Sequence, residues 1–364
     1  MHTPKGFLFS GINCGIKKKN KDLGLIYCQD LSRAIGFFTT NSNPSYSVIL
    51  CKKNIKNPIK AILVNSGNAN CYSHKEGLKD SNKIITELAK QLNVKKDNIL
   101  LVSTGIIGKK LPKDKIVESI PGLIGKLDRN IDNFSESIIT TDTFKKVSSV
   151  NIGGAKNKAG IIGFSKGAGM IYPNLATMLG FILTDLDVPS GIFRKIAREA
   201  VEESFNSISI DGCLSTNDTV LFLSSKKTPL INKSQLSSFV KGLKMVCLDL
   251  AKKIVKDGEG ASKFIAITIK GAKTKQEAKK GAFSLANSNL FKTALYGANS
   301  NWGRIISALG QVGIKVKENI VIKSTSLKKK DVKLSVDLKR GRADWTVYTC
   351  DLTPEYVKIN AEYS

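Results

Sequence analysis

The chain has almost no histidine. His2 and His74 are the only two in 364 residues, so a Ser-His-Asp or Cys-His mechanism has little to work with. Arginine is also scarce, with seven among 57 basic residues. A net charge of +27 would ordinarily suggest a nucleic-acid or anionic-membrane surface. Here the excess is lysine, aromatics are 7%, and the densest cluster is only Lys328–Lys330. Arg is the better reader of bases and phosphates, and no zinc-finger, helix-turn-helix or RNA-recognition motif occurs. The balance predicts solvated lysine faces and no specific nucleic-acid partner. A salt-dependent affinity for polyanions is the competing reading. Cys-x-x-Cys is missing as well. Seven widely spaced cysteines predict reduced thiols, no metal site and a cytoplasmic location. There is neither a secretory h-region nor an apolar run long enough to span a membrane.

What is present suits a globular enzyme. Hydrophobic content is 41%, and the length predicts two or three lobes. Strands are expected at 60–65, 99–102, 178–183, 217–223 and 264–269. Helices are expected after residue 78, near 113–126, after Ser190 and over 234–256. Residues 141–165 read as short strands and turns, 225–235 and 324–332 as surface loops, and 332–360 as a strand pair. Such alternation fits layered α/β or α+β architecture.

Residues 166–187 carry the most chemistry. A small-residue turn from Lys166 leads to Pro173, and Thr177 opens the apolar run Met178–Leu183. Cleavage between Ala176 and Thr177 would give Thr177 a free α-amine beside its own hydroxyl. An amine of pKa about 8 can serve as base for that hydroxyl. Read locally, the plainer reading is a strand that happens to begin with Thr. Other polar clusters are individually ambiguous. Ser103-Thr104-Gly105 could donate hydrogen bonds to an oxyanion or form an ordinary turn. Thr140-Thr141-Asp142-Thr143 and Ser215-Thr216-Asn217-Asp218 could be sites, caps or turns. Glu259 lies between Gly258 and Gly260, where a backbone can approach a ligand. Arg304, in Asn301-Trp302-Gly303-Arg304, could pair with a carboxylate.

Taken in order along nearly the whole chain, these clusters resemble the ornithine acetyltransferase family, the arginine-biosynthesis bifunctional glutamate N-acetyltransferases. The resemblance also includes Gly36-Phe37-Phe38-Thr39-Thr40-Asn41, Asn65-Ser66-Gly67-Asn68-Ala69-Asn70, Pro173-Asn174-Leu175-Ala176-Thr177 and Asp257-Gly258-Glu259-Gly260-Ala261. It closes with the segment Tyr356–Tyr363. It implies an α/β fold, a layered sheet sandwich between helices. It implies self-cleavage into an α chain of 1–176 and a β chain of 177–364, assembled as an α2β2 heterotetramer. Thr177 becomes the nucleophile of a ping-pong transfer from N2-acetylornithine to glutamate. Acetyl-CoA is left open as a further donor substrate, and no cofactor is implied.

By the same resemblance Thr104 and Gly105 form the oxyanion hole. Thr140 or Thr141, Lys166, Thr177, Glu259 and Asn360 bind substrate. Ser364 stands one position short of the family's final Thr or Ser contact. Cys213 and Leu214 depart from the usual acidic and small residues, and Ala298-Asn299-Ser300 lacks the usual negative charge. An N-terminal-nucleophile aminopeptidase or amidohydrolase, passing the acyl group to water, is the alternative enzyme class. A basic binding protein without catalysis is the non-enzymatic one.

Overall fold

The computed structural model describes residues 3–73, 76–153, 158–172 and 178–362. The chain divides into two compact units. The first comprises residues 1–167, 174–205 and 214–251, and the second comprises 168–173, 206–213 and 252–364.

The first unit is built on β1 (Phe7–Ile12), β2 (Leu23–Phe38), β3 (Ile59–Asn68), β4 (Ile99–Ile106), β5 (Lys146–Ile152), β6 (Ala159–Lys166), β7 (Leu179–Asp187) and β8 (Thr219–Pro229). Their order is β4-β3-β2-β8-β7-β6-β5, with β1 also on β2. The long β2 joins two layers. Its first half pairs with β1 and β3, and its second half, from Arg33, pairs with β8. The register on β3 slips between Tyr27 and Ser32, where the strand changes layer.

Alternating residues of the two layers face one core. Ile26, Ile62, Val64 and Leu100 come from one layer, and Phe164, Phe181, Leu183 and Leu221 from the other. Phe134 sits between them, with ring centroids 5.3 Å from Phe164 and 5.6 Å from Phe181. The outer face of the first layer is covered by α2 (Glu76–Gln91) and α3 (Lys113–Ile124), which follow α1 (Tyr46–Asn54). Outside the second layer, Phe222 meets Phe193 of α5 (Ser190–Glu202), and Phe193 meets Phe239 of α6 (Lys233–Lys256). A short α4 (Asp132–Ser137) carries Phe134. The unit is therefore α/β, a sheet sandwich between helices. Both faces of β6 and β7 are covered, which explains their unbroken apolar runs.

In the second unit β9 (Phe264–Ala272) is central. It pairs in parallel with β11 (Asp331–Asp337) and antiparallel with β12 (Ala343–Cys350), while β10 (Val321–Ser324) lies outside β11. Between β9 and β11 run α7 (Lys275–Ala286), α8 (Asn289–Tyr296) and α9 (Gly303–Gln311). Ile265, Ile267 and Ile269 alternate onto the face that Ala278, Ala282 and Leu309 cover.

Several sequence expectations need correction. The strand pair expected over 332–360 is not a pair, because β11 and β12 flank β9 instead of each other. Residues 354–362 form α10 (Pro354–Glu362). Pro354 opens that helix, and the Thr353 hydroxyl accepts the Tyr356 N–H at 3.3 Å. Residues 225–229 continue β8 and are not loop. Ser103-Thr104-Gly105 lies inside β4, not in a turn after it. Leu78 and Ile192, expected on buried helix faces, are exposed.

Candidate active site

The Ala176–Thr177 junction and Ser364 lie outside the described residues. The strands on either side of the junction are well placed. β6 ends at Lys166, which pairs with Leu179 at the start of β7. Lys166 is buried, and its ammonium donates to the Thr104 Oγ1 at 2.9 Å and the Thr140 Oγ1 at 3.0 Å. A hydroxyl that accepts from an ammonium has its own proton left to donate, and it becomes a stronger donor. Thr104 is thereby set up to give its proton to an anion.

Gly105 follows Thr104 with φ of +134°. A Cβ there would stand 2.3 Å from the Gly67 carbonyl carbon, so no other residue fits. The β3–β4 register breaks opposite it, between Gly67 and Asn68. Asparagines hold this irregular end. The Ser103 hydroxyl donates to Asn65 Oδ1 at 2.6 Å, and the Asn65 amide donates to the Asn68 carbonyl at 2.9 Å. The Asn68 amide in turn reaches the carbonyls of Lys109 and Lys110.

Beneath Lys166 lies Asp142, which the sequence left open as part of a site, a cap or a turn. One oxygen takes the Lys146 ammonium and the Gly167 N–H, and the other takes the Thr140 N–H. The Lys146 and Asp142 side chains are both fully buried. Burial pushes the Asp142 carboxyl up, but the Lys146 and Lys166 ammoniums and the Gly167 amide outweigh it and hold it below the usual carboxylate range. Lys17 adds a further cation. Its ammonium donates to the Ile139 carbonyl at 2.6 Å, one residue before Thr140, and burial lowers its pKa to about 8. Neither Lys146, which opens β5, nor Lys17 carried a sequence signal for this role.

In the second unit, Glu259 is half-buried. Its carboxylate lies against Gly169, where a Cβ would come within 2.3 Å of it, and it accepts the Asn360 amide at 3.0 Å. Nearby, Asp211 gathers the N–H groups of Met170, Ile171 and Cys213. Cys213 therefore contributes its backbone to that loop while its thiol is exposed. Among the described residues Arg304 does not meet a carboxylate. It donates to the Leu290 carbonyl and the Thr293 hydroxyl.

The structure thus brings Thr104, Gly105, Thr140 and Lys166 together in one unit, and Glu259 and Asn360 in the other. Of the threonine pair, Thr140 carries the hydroxyl that Lys166 reaches. Among the described residues no cluster of His, Cys, Asp and Glu could hold a metal ion, and no helix is long and apolar enough to cross a membrane.

A family model, the ArgJ family, matches residues 8–325 and 322–364. The chain belongs to the ArgJ family. It is 37% identical to the arginine biosynthesis bifunctional protein ArgJ of Oceanobacillus iheyensis, covering 99% of this chain and 95% of that protein. It is also 37% identical to a glutamate N-acetyltransferase of Methanococcus vannielii, covering 100% of this chain and 97% of that one. The crystal structure of a Bacillus halodurans ArgJ protein is 33% identical and covers 47% of this chain and 91% of that chain, with a TM-score of 0.44. This family is the one whose motifs run through the sequence.

Proposed function

We propose that the chain is a glutamate N-acetyltransferase of arginine biosynthesis, carrying acetyl from N2-acetylornithine to glutamate through an acetyl-threonine. Family membership over the whole chain supports the reading. The observation that carries it is Lys166, a buried cation bonded to both Thr104 and Thr140 at the strand end that leads to Thr177. Thr177 is the nucleophile, made by self-cleavage after Ala176. The β6–β7 ladder, from Ile161↔Thr184 to Lys166↔Leu179, ties the two products, residues 1–176 and 177–364, together after the break. They assemble as an α2β2 heterotetramer in the cytoplasm.

In the transfer, the Thr177 hydroxyl oxygen bonds the acetyl carbonyl carbon and its proton passes to the Thr177 α-amine. The bond to the ornithine nitrogen then breaks and that nitrogen takes the proton. The glutamate amine attacks the resulting ester and regenerates Thr177. The Thr104 hydroxyl and Gly105 amide receive the oxyanion in both halves. Lys166 takes a substrate carboxylate, Glu259 an ammonium, and Asn360 orients Glu259. Acetyl-CoA is a second acetyl donor at the same threonine.

The test is a comparison of wild type with Thr177→Ala. Mass spectrometry should find two chains for wild type and one for the variant. Acetyl transfer from N2-acetylornithine to glutamate should follow the cleaved form alone. Full-length wild type without transfer would sink the proposal. Release of free acetate in place of acetylglutamate would move the protein to the hydrolase class, and adding acetyl-CoA tests the second donor.

A further inference from the structure

Just before β2, residues 13–22 form a loop around one buried carboxylate. Asp22 accepts the N–H groups of Cys14 at 2.7 Å, Ile16 at 2.7 Å and Lys17 at 2.8 Å. Its main-chain carbonyl accepts the Ser66 N–H at 2.8 Å, which registers the loop on the end of β3. Charge-assisted bonds of this kind are short and strong, and they fix the loop backbone. The side chain so placed is that of Lys17.

Lys17 reaches two supports of the site in the first unit. Its stem lies against Gly67, where a Cβ would stand 3.2 Å from Lys17 Cγ. Gly67 is the register partner of Gly105, and a Cβ on Gly105 would come within 2.3 Å of the Gly67 carbonyl carbon and 2.4 Å of the Asn68 nitrogen. Gly67 is thus the shared neighbour of Gly105 and the Lys17 stem. The Lys17 ammonium donates to the Ile139 carbonyl at 2.6 Å and to the Lys21 carbonyl at 3.1 Å. Ile139 leads directly into Thr140, whose hydroxyl accepts from Lys166.

We infer that Lys17 is a positioning residue of the acetyl transfer, holding the Gly67–Gly105 contact and the chain entering Thr140 in one fixed relation. The inference rests on the reading of Thr104 and Gly105 as the oxyanion donors. Such donors work only when both converge on the place the oxyanion takes. The Thr104 hydroxyl is set by Lys166, which Thr140 also holds. The direction of the Gly105 amide is set by its positive φ against the Gly67 peptide. Lys17 meets both supports, and it acts through them and not on substrate. Lys21 of the same loop binds α4 instead, through Asn133 and Glu136.

Lys17→Met keeps an unbranched stem and removes the ammonium. Wild type, Lys17→Met, Lys17→Arg and Lys21→Met are assayed for transfer from N2-acetylornithine to glutamate at pH 7, below the pKa of about 8 to which burial lowers Lys17. Rates are taken per cleaved chain, measured by mass, so that slow self-cleavage is not counted as slow transfer. Lys17→Met should lower kcat about ten- to a hundredfold, the cost of a small misplacement, with KM for both substrates little changed. Lys17→Arg keeps the charge but not the length, and its kcat should fall about fivefold. Lys21→Met should keep the wild-type kcat. Wild-type kcat in Lys17→Met overturns the inference. So does a rise in KM alone, which would make Lys17 a binding group. So does an equal loss in Lys21→Met, which would make the loop a general support of α4. If Lys17→Met does not fold, Lys17→Arg decides, and wild-type kcat there overturns the inference. Wild-type kcat in Thr104→Val would remove the oxyanion reading itself, an outcome distinct from wild-type kcat in Lys17→Met alone.

Discussion

Lys166 and Glu259 are the two charges we propose to meet substrate, and they are held in opposite ways. Lys166 is buried among groups that were desolvated when the first unit folded. Two hydroxyls accept from it, and Asp142 lies behind it with Lys146 as its ion-pair partner. Glu259 is half-buried in the second unit, and the amide that orients it belongs to the exposed Asn360 on α10. A buried charge network is preorganised, and its members cannot be changed one at a time without leaving an unpaired charge. A half-exposed carboxylate keeps water as an alternative partner and tolerates loss of a neighbour. The contrast predicts that substitutions around Lys166 damage stability and kcat together, whereas substitutions around Glu259 act mainly on KM.

The largest effect is expected at the base of the network. Asp142→Asn leaves the Lys146 ammonium buried without its anion, a loss of about 3 kcal/mol or more. Thermal or urea unfolding should show it, and transfer activity should fall with it. The pH dependence has a definite sign. The Asp142 pKa is lowered in the folded protein, so its stabilisation is present above the ordinary carboxylate pKa and is lost as pH falls through the lowered value. Wild type and variant should therefore converge in acid and differ fully at neutral pH. A constant difference across that range would remove the ion pair as the cause.

Next in size is Thr104→Val, which has nearly the same shape but no hydroxyl to accept from Lys166 or to donate to an oxyanion. We expect kcat to fall by about 10²–10³ with KM little changed. A fall confined to KM would place Thr104 with substrate binding and not with the oxyanion.

How much of this was legible follows from what each residue does alone. The Met178–Leu183 run announced β7 because a strand covered on both faces needs no alternation. Glu259 was singled out by the glycines on either side of it, which leave room for close approach, and Lys166 by the family resemblance. Asp142 was visible as a residue but not as the counterion of two lysines, because Lys166 reaches it only after β5 and β6 pair. Asp218 likewise looked like part of a polar turn, since the Met178 N–H that it accepts reaches it through the parallel pairing of β7 and β8. The strand pair expected over 332–360 failed for the same reason. Local pattern finds strands, but it does not say that β9 takes a neighbour on each side. The α10 start, by contrast, carried a readable Thr-Pro-Glu signal that a strand expectation overrode.

The smallest effect tests the open side of the comparison. Asn360 is exposed, and its amide also donates to the Tyr356 carbonyl of its own helix at 3.0 Å. Asn360→Ala removes one hydrogen bond to a carboxylate that water can still solvate, worth about 1 kcal/mol or somewhat more. KM for N2-acetylornithine should rise roughly five- to tenfold, with kcat and the unfolding midpoint near those of wild type. A matched fall in kcat would mean that Glu259 is held as tightly in the transition state as Lys166, and the distinction between a preorganised charge and an adjustable one would not survive.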